Sequence, residues 1–130
     1  MPGPLEGIKV IDFGQAAVGP VAAAYLGEMG ANVIKVEPLD GDMVRKGNPM
    51  MKGMSTTFMG NNITKRGIAL NLKDPEDRAI ALKLAASADV VLDNYRSSDV
   101  MIRLGLGYEV LSKLNPRIIY LSASCFGPKG

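Results

Sequence analysis

Residues 5–37, LEGIKVIDFGQAAVGPVAAAYLGEMGANVIKVE, constrain the fold more than any other part of this chain. Ile8, Val10 and Ile11 make a β-branched run that ends at Asp12, and such side chains suit the pleated, buried surface of a strand. A loop of small residues follows. Pro20 then has the fixed φ and the missing N–H that fit a first helical position. The spacing predicts that helix as far as Met29, with Gly30 as its C-terminal stop. Val33, Ile34, Lys35 and Val36 read as a second strand after one short connection. Two strands joined through a helix in this way form a βαβ unit, whose strands run parallel. Ligands of such folds lie at the carboxyl ends of the strands, which here points to Gly14, Gln15, Ala16, Ala17, Val18 and Gly19.

From Pro38 to Gly67 the pattern dissolves into Gly, Asn, Thr and Met, including Met43, Met50, Met51, Met54 and Met59. A loop of this length is functional or disordered in most compact domains, and unbranched Met suits a surface that repacks around a partner. Two readings stand: the methionines fill an irregular core or a subunit contact, or they form a mobile wall of a substrate pocket. Regular structure is predicted again at Ile68 to Leu72, a short alternating strand. Asp74 then caps a helix that opens with Pro75, Glu76 and Asp77 and turns Ala81, Leu84, Ala85 and Ala88 inward. Val90 to Leu92 is a strand of the buried type. Ser98 or Asp99 caps a short helix through Arg103 that stops at Gly105, and Tyr108 to Leu114 forms another, ended by Asn115 and Pro116. Ile118 to Leu121 is the last strand. Alternation of this kind through the whole length predicts a doubly wound, mainly parallel α/β sheet with helices on both faces and right-handed crossovers. The ending Gly-Pro-Lys-Gly has loop composition, so a continuation of the chain is expected.

A chain of 130 residues is long enough to bury about two-thirds of its unfolded surface. With 47% hydrophobic residues, burial of both sheet faces is expected. A net charge of +2 and the absence of Trp and of any basic run give nucleic acid no stacking platform. Histidine is absent, which removes the commonest general base and metal ligand. No metal site and no Ser-His-Asp or Cys-His site is expected. Cys125 has no partner for an internal disulfide, and MPGPLEG lacks the regions of a secretion signal. No apolar run approaches a membrane span. A cytoplasmic protein is expected.

Gly14 and Gly19 do not make a phosphate loop, because Pro20 and Val21 stand where Lys and Ser or Thr are needed. The dinucleotide glycine fingerprint is absent as well. Glu37 lies where a ribose-binding acid would, or is a solvated strand-end carboxylate. The small-residue loop lets backbone N–H groups approach an anionic or carbonyl ligand, or serves close strand–helix packing. Lys73, Arg96 and Arg103 sit at or just after predicted strand ends, where cations reach a phosphorylated ligand or remain solvated surface charges.

The segments PLEGIKVIDF, Gly19-Pro20, LGEMGANVIKVEP, Gly41-Asp42, NITKRGIALNLK, ADVVLDNYR, RLGLGYEVLSKLNPRIIYLSAS and FGPKG occur in an order and spacing that resembles the N-terminal part of class III CoA-transferases. That family includes formyl-CoA transferase, carnitine CoA-transferase and α-methylacyl-CoA racemase. The resemblance covers nearly the whole chain. It implies that residues 1–130 are the N-terminal part of a Rossmann-like, CoA-binding large domain, with a second domain outside the chain and two chains interlocked as a homodimer. The resemblance further implies that Gln15, Ala16, Ala17 and Val18 contact CoA in the loop after the first strand. Leu70, Lys73, Asn94, Tyr95, Arg103 and Leu104 match the adenine and phosphate contacts. Pro38 replaces a basic residue that some members use on the CoA phosphate, Ala17 replaces a Gln that assists the formyl-CoA enzyme, and Cys125, expected to pack, replaces a Gly. The implied substrates are an acyl-CoA and a small carboxylic acid. The implied nucleophile is an Asp outside these residues, so the chain alone is expected to be inactive. Acyl-CoA racemisation and CoA binding without turnover are the alternatives.

Overall fold

A computed structural model gives the fold of the chain and describes residues 3–97, 99–124 and 127. Strands β1 (Lys9–Asp12) and β2 (Asn32–Glu37) are joined through helix α1 (Val18–Glu28) and run parallel, with Ile11 opposite Ile34. After β2 come a 3-10 turn (Met43–Lys46), a small hairpin of β3 (Met50–Met51) and β4 (Met54–Ser55), and α2 (Thr56–Asn62). Strand β5 (Lys65–Ala69), helix α3 (Pro75–Ala86), strand β6 (Val90–Asp93), helices α4 (Asp99–Arg103) and α5 (Tyr108–Leu114), and strand β7 (Ile119–Ser122) complete the order. The main sheet runs β5-β2-β1-β6-β7 and every neighbouring pair in it is parallel.

Alternation along the strands sorts the core into two layers. Val10, Val33 and Leu92 face Ala23 and Leu26 of α1. Ile11, Val36 and Val91 face Ala81 and Ala85 of α3, Met101 of α4 and Leu111 of α5. The chain winds outward from β1 to β5 with α1 on one face and α2 packed beside it. It then returns to β6, on the other side of β1, with its helices on the opposite face. Crossovers of one hand require this change of face when the direction of winding reverses. The fold is therefore the doubly wound parallel α/β sheet expected. The reversal lies between β1 and β6, which makes their carboxyl ends the topological switch point where such folds bind ligands.

Local chemistry accounts for the element ends. The Asp74 carboxylate accepts hydrogen bonds from the Glu76 and Asp77 amides, and Pro75 opens α3. A cap of this kind is worth about 1 kcal/mol. Gly30 takes φ 101° after α1, and Gly105 takes φ 69° after α4, conformations in which a Cβ would be strained.

Several boundaries differ from the expected ones. Helix α1 begins at Val18, so Pro20 is its third residue; within the first turn its missing N–H is still no loss, because those donors have no partner inside the helix. The third long strand is Lys65–Ala69 rather than Ile68–Leu72. This is an edge strand with a buried Lys65 side chain, so apolar alternation does not mark it, and Leu70 and Leu72 fall beyond its end. The segment before it is not irregular: Ser55 caps α2 by accepting from the Phe58 amide. Asp99 is the first residue of α4 and not its cap. Ser98, the other expected cap, and Cys125 lie outside the described residues. Met43, Met50, Met51, Met54 and Met59 are exposed, which overturns their reading as core filler. No helix among the described residues is long and apolar enough to cross a membrane.

Candidate functional site

The loop from β1 to α1 lies at the switch point, and side chains take its backbone polar groups one by one. The Gly14 amide donates to Asp12 Oδ1 at 2.7 Å, and the Gly14 carbonyl accepts from Lys35 Nζ at 2.6 Å. Asn94, at the end of β6, accepts from the Gln15 amide at 2.7 Å and donates to the Gln15 carbonyl at 2.8 Å. The Ala16 amide meets both Asp42 oxygens at 3.1 and 3.2 Å, and its carbonyl accepts from Asn61 Nδ2 at 3.0 Å. Among the described residues, the amides of Ala17 and Val18 meet no protein acceptor. These amides open the N-terminal end of α1, where the helix dipole is positive.

Beneath the loop, buried charges are paired. Lys65 Nζ reaches Asp12 Oδ2 at 2.7 Å, the Pro20 carbonyl at 2.7 Å and Asn62 Oδ1 at 2.9 Å. Its three protons therefore have three acceptors. Burial pushes the Lys65 ammonium below its ordinary pKa, against the opposing pull of Asp12. Lys35 Nζ stands 3.0 Å from Asp42 Oδ2, both side chains out of solvent. Burial raises Asp42, but the Val44 amide, Lys35 and the Ala16 amide together hold it below the usual carboxylate range. Glu37 is likewise held low: burial opposes, and the Arg45 guanidinium and the Asp42 amide prevail. Arg45 binds both Glu37 oxygens at 2.7 Å and lies 3.8 Å over the Phe58 ring. Asp93 accepts from the Tyr120 hydroxyl at 2.9 Å and from the Tyr95 amide at 3.2 Å. Burial first, and Asp93 second, push the Tyr120 hydroxyl far above its ordinary pKa.

On the opposite face of the sheet end, a cleft of about 500 Å³ opens. Val36, Leu70, Leu72 and Leu104 give it an apolar lining, while Gln15, Tyr95, Lys73 and Arg103 bring polar groups to it. Burial raises the Tyr95 hydroxyl, opposed by the Gln15 side chain beside it. Lys73 and Arg103 are exposed and line the cleft together with the acids Glu37 and Asp40. Glu37 is already neutralised by Arg45. An apolar slot with two solvent-facing cations suits a ligand that joins a flat or aliphatic part to anionic groups.

A family model described as CoA-transferase family III matches residues 5–130. The chain belongs to this family. It is 45% identical over 129 residues to the acetyl-CoA:oxalate CoA-transferase of Acetobacter aceti, covering 98% of this chain and 33% of that protein. It is 43% identical to the succinyl-CoA:glutarate CoA-transferase of Mus musculus, covering 98% and 29%. Among solved structures, a mutant form of Rv3272 from Mycobacterium tuberculosis superposes with a TM-score of 0.91 at 36% identity, covering 99% of this chain and 35% of that one. The chain thus spans about a third of the length of these relatives.

Within this family member, the structure brings Gln15, Leu70, Lys73, Tyr95, Arg103 and Leu104 to one cleft. Ala16, Ala17, Val18 and Asn94 do not line it. Val18 is exposed, and Asn94 instead grips Gln15. Arg103 reaches the cleft from the end of α4 rather than from a strand end. Arg96 does not line it. Glu37 is neither a solvated carboxylate nor a free ribose ligand, since its oxygens hold Arg45 and the Asp42 amide. None of the exposed methionines lines the cleft. Sequence reasoning passed over Lys35, Asp42, Asn61 and Lys65. A signal was available for Lys35, a cation inside an otherwise apolar central strand, because a buried ammonium demands a partner.

Proposed function

We propose that this chain is the CoA-binding part of an acyl-CoA:carboxylate CoA-transferase. The observation that carries the reading is the cleft at the switch point, with its apolar lining and the cations Lys73 and Arg103. In this reading the adenine and its linker lie along Leu70, Leu104 and Tyr95, and the cations meet the phosphates. Relatives whose names pair acetyl-CoA with oxalate and succinyl-CoA with glutarate support small carboxylic acids as the acyl partners.

The reaction belongs to the whole protein, with an Asp outside these residues as nucleophile. That carboxylate attacks the thioester carbonyl carbon, the C–S bond breaks, and CoA departs as thiolate. In the acyl anhydride that remains, an incoming carboxylate attacks the Asp carbonyl carbon and releases the first acid. The retained CoA thiolate then attacks the acyl carbon of the new anhydride, forming the new CoA ester and freeing the Asp carboxylate. Gln15 and Ala16 amides are already bonded internally, so the donors this chain offers to a developing oxyanion are those of Ala17 and Val18. Such donors contribute a few kcal/mol each when preorganised. Without the nucleophile the chain alone performs no transfer. An interlocked homodimer accounts for the exposed Val18, Tyr25 and Ile63 on or beside α1 and α2.

The test is calorimetric titration of free CoA into wild type, Lys73→Ala and Arg103→Ala. Each substitution weakens binding by about 1–3 kcal/mol, the scale of charge-assisted hydrogen bonds, and the loss shrinks as salt rises. In the whole enzyme it raises KM for every CoA ester, because the nucleotide is common to them. Two variants that bind CoA like wild type at low salt remove these residues from the site.

A further inference from the structure

Ala16 is a residue with a Cβ held at φ 61°. Left-handed backbone is disfavoured for an L-residue, and it persists where the surroundings over-determine it. The surroundings here are Asp42 on the Ala16 amide and Asn61 on its carbonyl. Asp42 grips the loop twice. It binds Ala16 directly, and through the 3.0 Å pair with Lys35 it holds the ammonium that donates to the Gly14 carbonyl.

Asp42 is itself fixed from the other wall of the cleft. Its amide donates to Glu37 Oε2 at 3.0 Å, and its Oδ1 accepts from the Val44 amide at 3.0 Å. Glu37 and Asp40, on either side of this connection, line the same cleft as Gln15. One carboxylate therefore ties the loop that carries Gln15, Ala17 and Val18 to the wall formed after β2. The nucleotide-facing residues Leu70, Lys73, Arg103 and Leu104 lie on other segments and make no bond to Asp42 among the described residues.

We propose that Asp42 is a positioning residue: acting through Ala16 and Lys35, it sets the Ala17 and Val18 amides where the reacting carbonyl arrives, and it governs turnover rather than CoA affinity. This rests on the CoA-transferase reading above. A displacement of about 1 Å at a reacting centre lowers rates by as much as about a hundredfold, whereas contacts to a remote nucleotide are indifferent to it.

The test uses the full-length protein in an acyl-CoA:carboxylate transfer assay, with free-CoA affinity from calorimetry and folding checked by circular dichroism. Asp42→Asn keeps an oxygen for the amides and loses the charge that holds Lys35. Asn61→Ala releases the Ala16 carbonyl with no change of charge. For both, the expected result is a kcat lowered about tenfold or more, with the CoA dissociation constant within about threefold of wild type. A folded Asp42→Asn protein with wild-type kcat, or with affinity lost in proportion to rate, overturns the proposal. Should Asp42→Asn not fold, Asn61→Ala decides on the same criteria. Wild-type protein that does not bind CoA overturns the underlying reading instead, while wild-type activity without the split overturns this proposal alone.

Discussion

Replacing Lys65 with Met leaves the Asp12 carboxylate buried without its cation, and the structure sets the size of the effect. The ammonium is 2.7 Å from Asp12 Oδ2, with the two side chains 2% and 0% exposed. Breaking such a pair from one side costs about 3–5 kcal/mol, because the remaining charge keeps only the Gly14 amide and has no cation or water to balance it. The Met side chain follows the path of the Lys stem, so cavity formation adds little. The Pro20 carbonyl and Asn62 Oδ1 also lose their donor. A total stability of about 5–15 kcal/mol makes this a large fraction. Adding Asp12→Asn removes the stranded charge yet keeps Oδ1 for the Gly14 amide, and it restores about 1–3 kcal/mol relative to Lys65→Met alone. Urea unfolding of wild type, both single variants and the double variant, followed by far-UV circular dichroism, measures the cycle. A loss below about 1 kcal/mol for Lys65→Met, or a double variant no more stable than that single one, would refute the reasoning.

Gly14→Ala is expected to destabilise by about 1–3 kcal/mol, since no neighbour can yield: a Cβ there would sit 2.7 Å from Asp12 Oδ1, 2.9 Å from Pro20 Cδ and 3.0 Å from Gly19 Cα. An unchanged thermal midpoint would show that the loop shifts freely. Acid is expected to unfold the chain through Glu37 and Asp42, whose folded pKa values lie below the ordinary 4.5 and 3.8. A depressed carboxylate stabilises the fold fully above its ordinary value and loses that contribution as pH falls through the folded one. Urea midpoints measured from pH 7 down to pH 3 should therefore decline below about pH 4.5, and a flat profile would contradict the pairing.

Local pattern carried most of the architecture. The β-branched run before Asp12, the Asp74-Pro75 opening of α3 and the stops at Gly30 and Gly105 are decided within a turn or two of chain, so they are legible without any partner. Helix α5 is read from the sequence with the bounds the structure has. Legibility failed at β5 and α2. Lys65, Arg66 and Gly67 do not alternate as a half-buried strand should, because β5 is an edge strand and its one deeply buried side chain is charged. Helix α2 is one short stretch of Thr, Phe, Met, Gly and Asn with little helical preference, held by the Ser55 cap and by packing against α1.

The sequence by itself determined a parallel, doubly wound α/β unit, the place of the small-residue loop after its first strand, and family resemblance enough to name residues that share one cleft. Tertiary structure alone decided how that loop is held. Asp42 meets Ala16 across 26 positions, Lys65 meets Asp12 across 53, and Asn94 meets Gln15 across 79. Periodicity and capping arise from neighbours along the chain, so they leave a signature in sequence. A buried polar group can be satisfied by any suitable donor or acceptor that the fold delivers to it, and delivery depends on strand order and crossover face rather than on spacing.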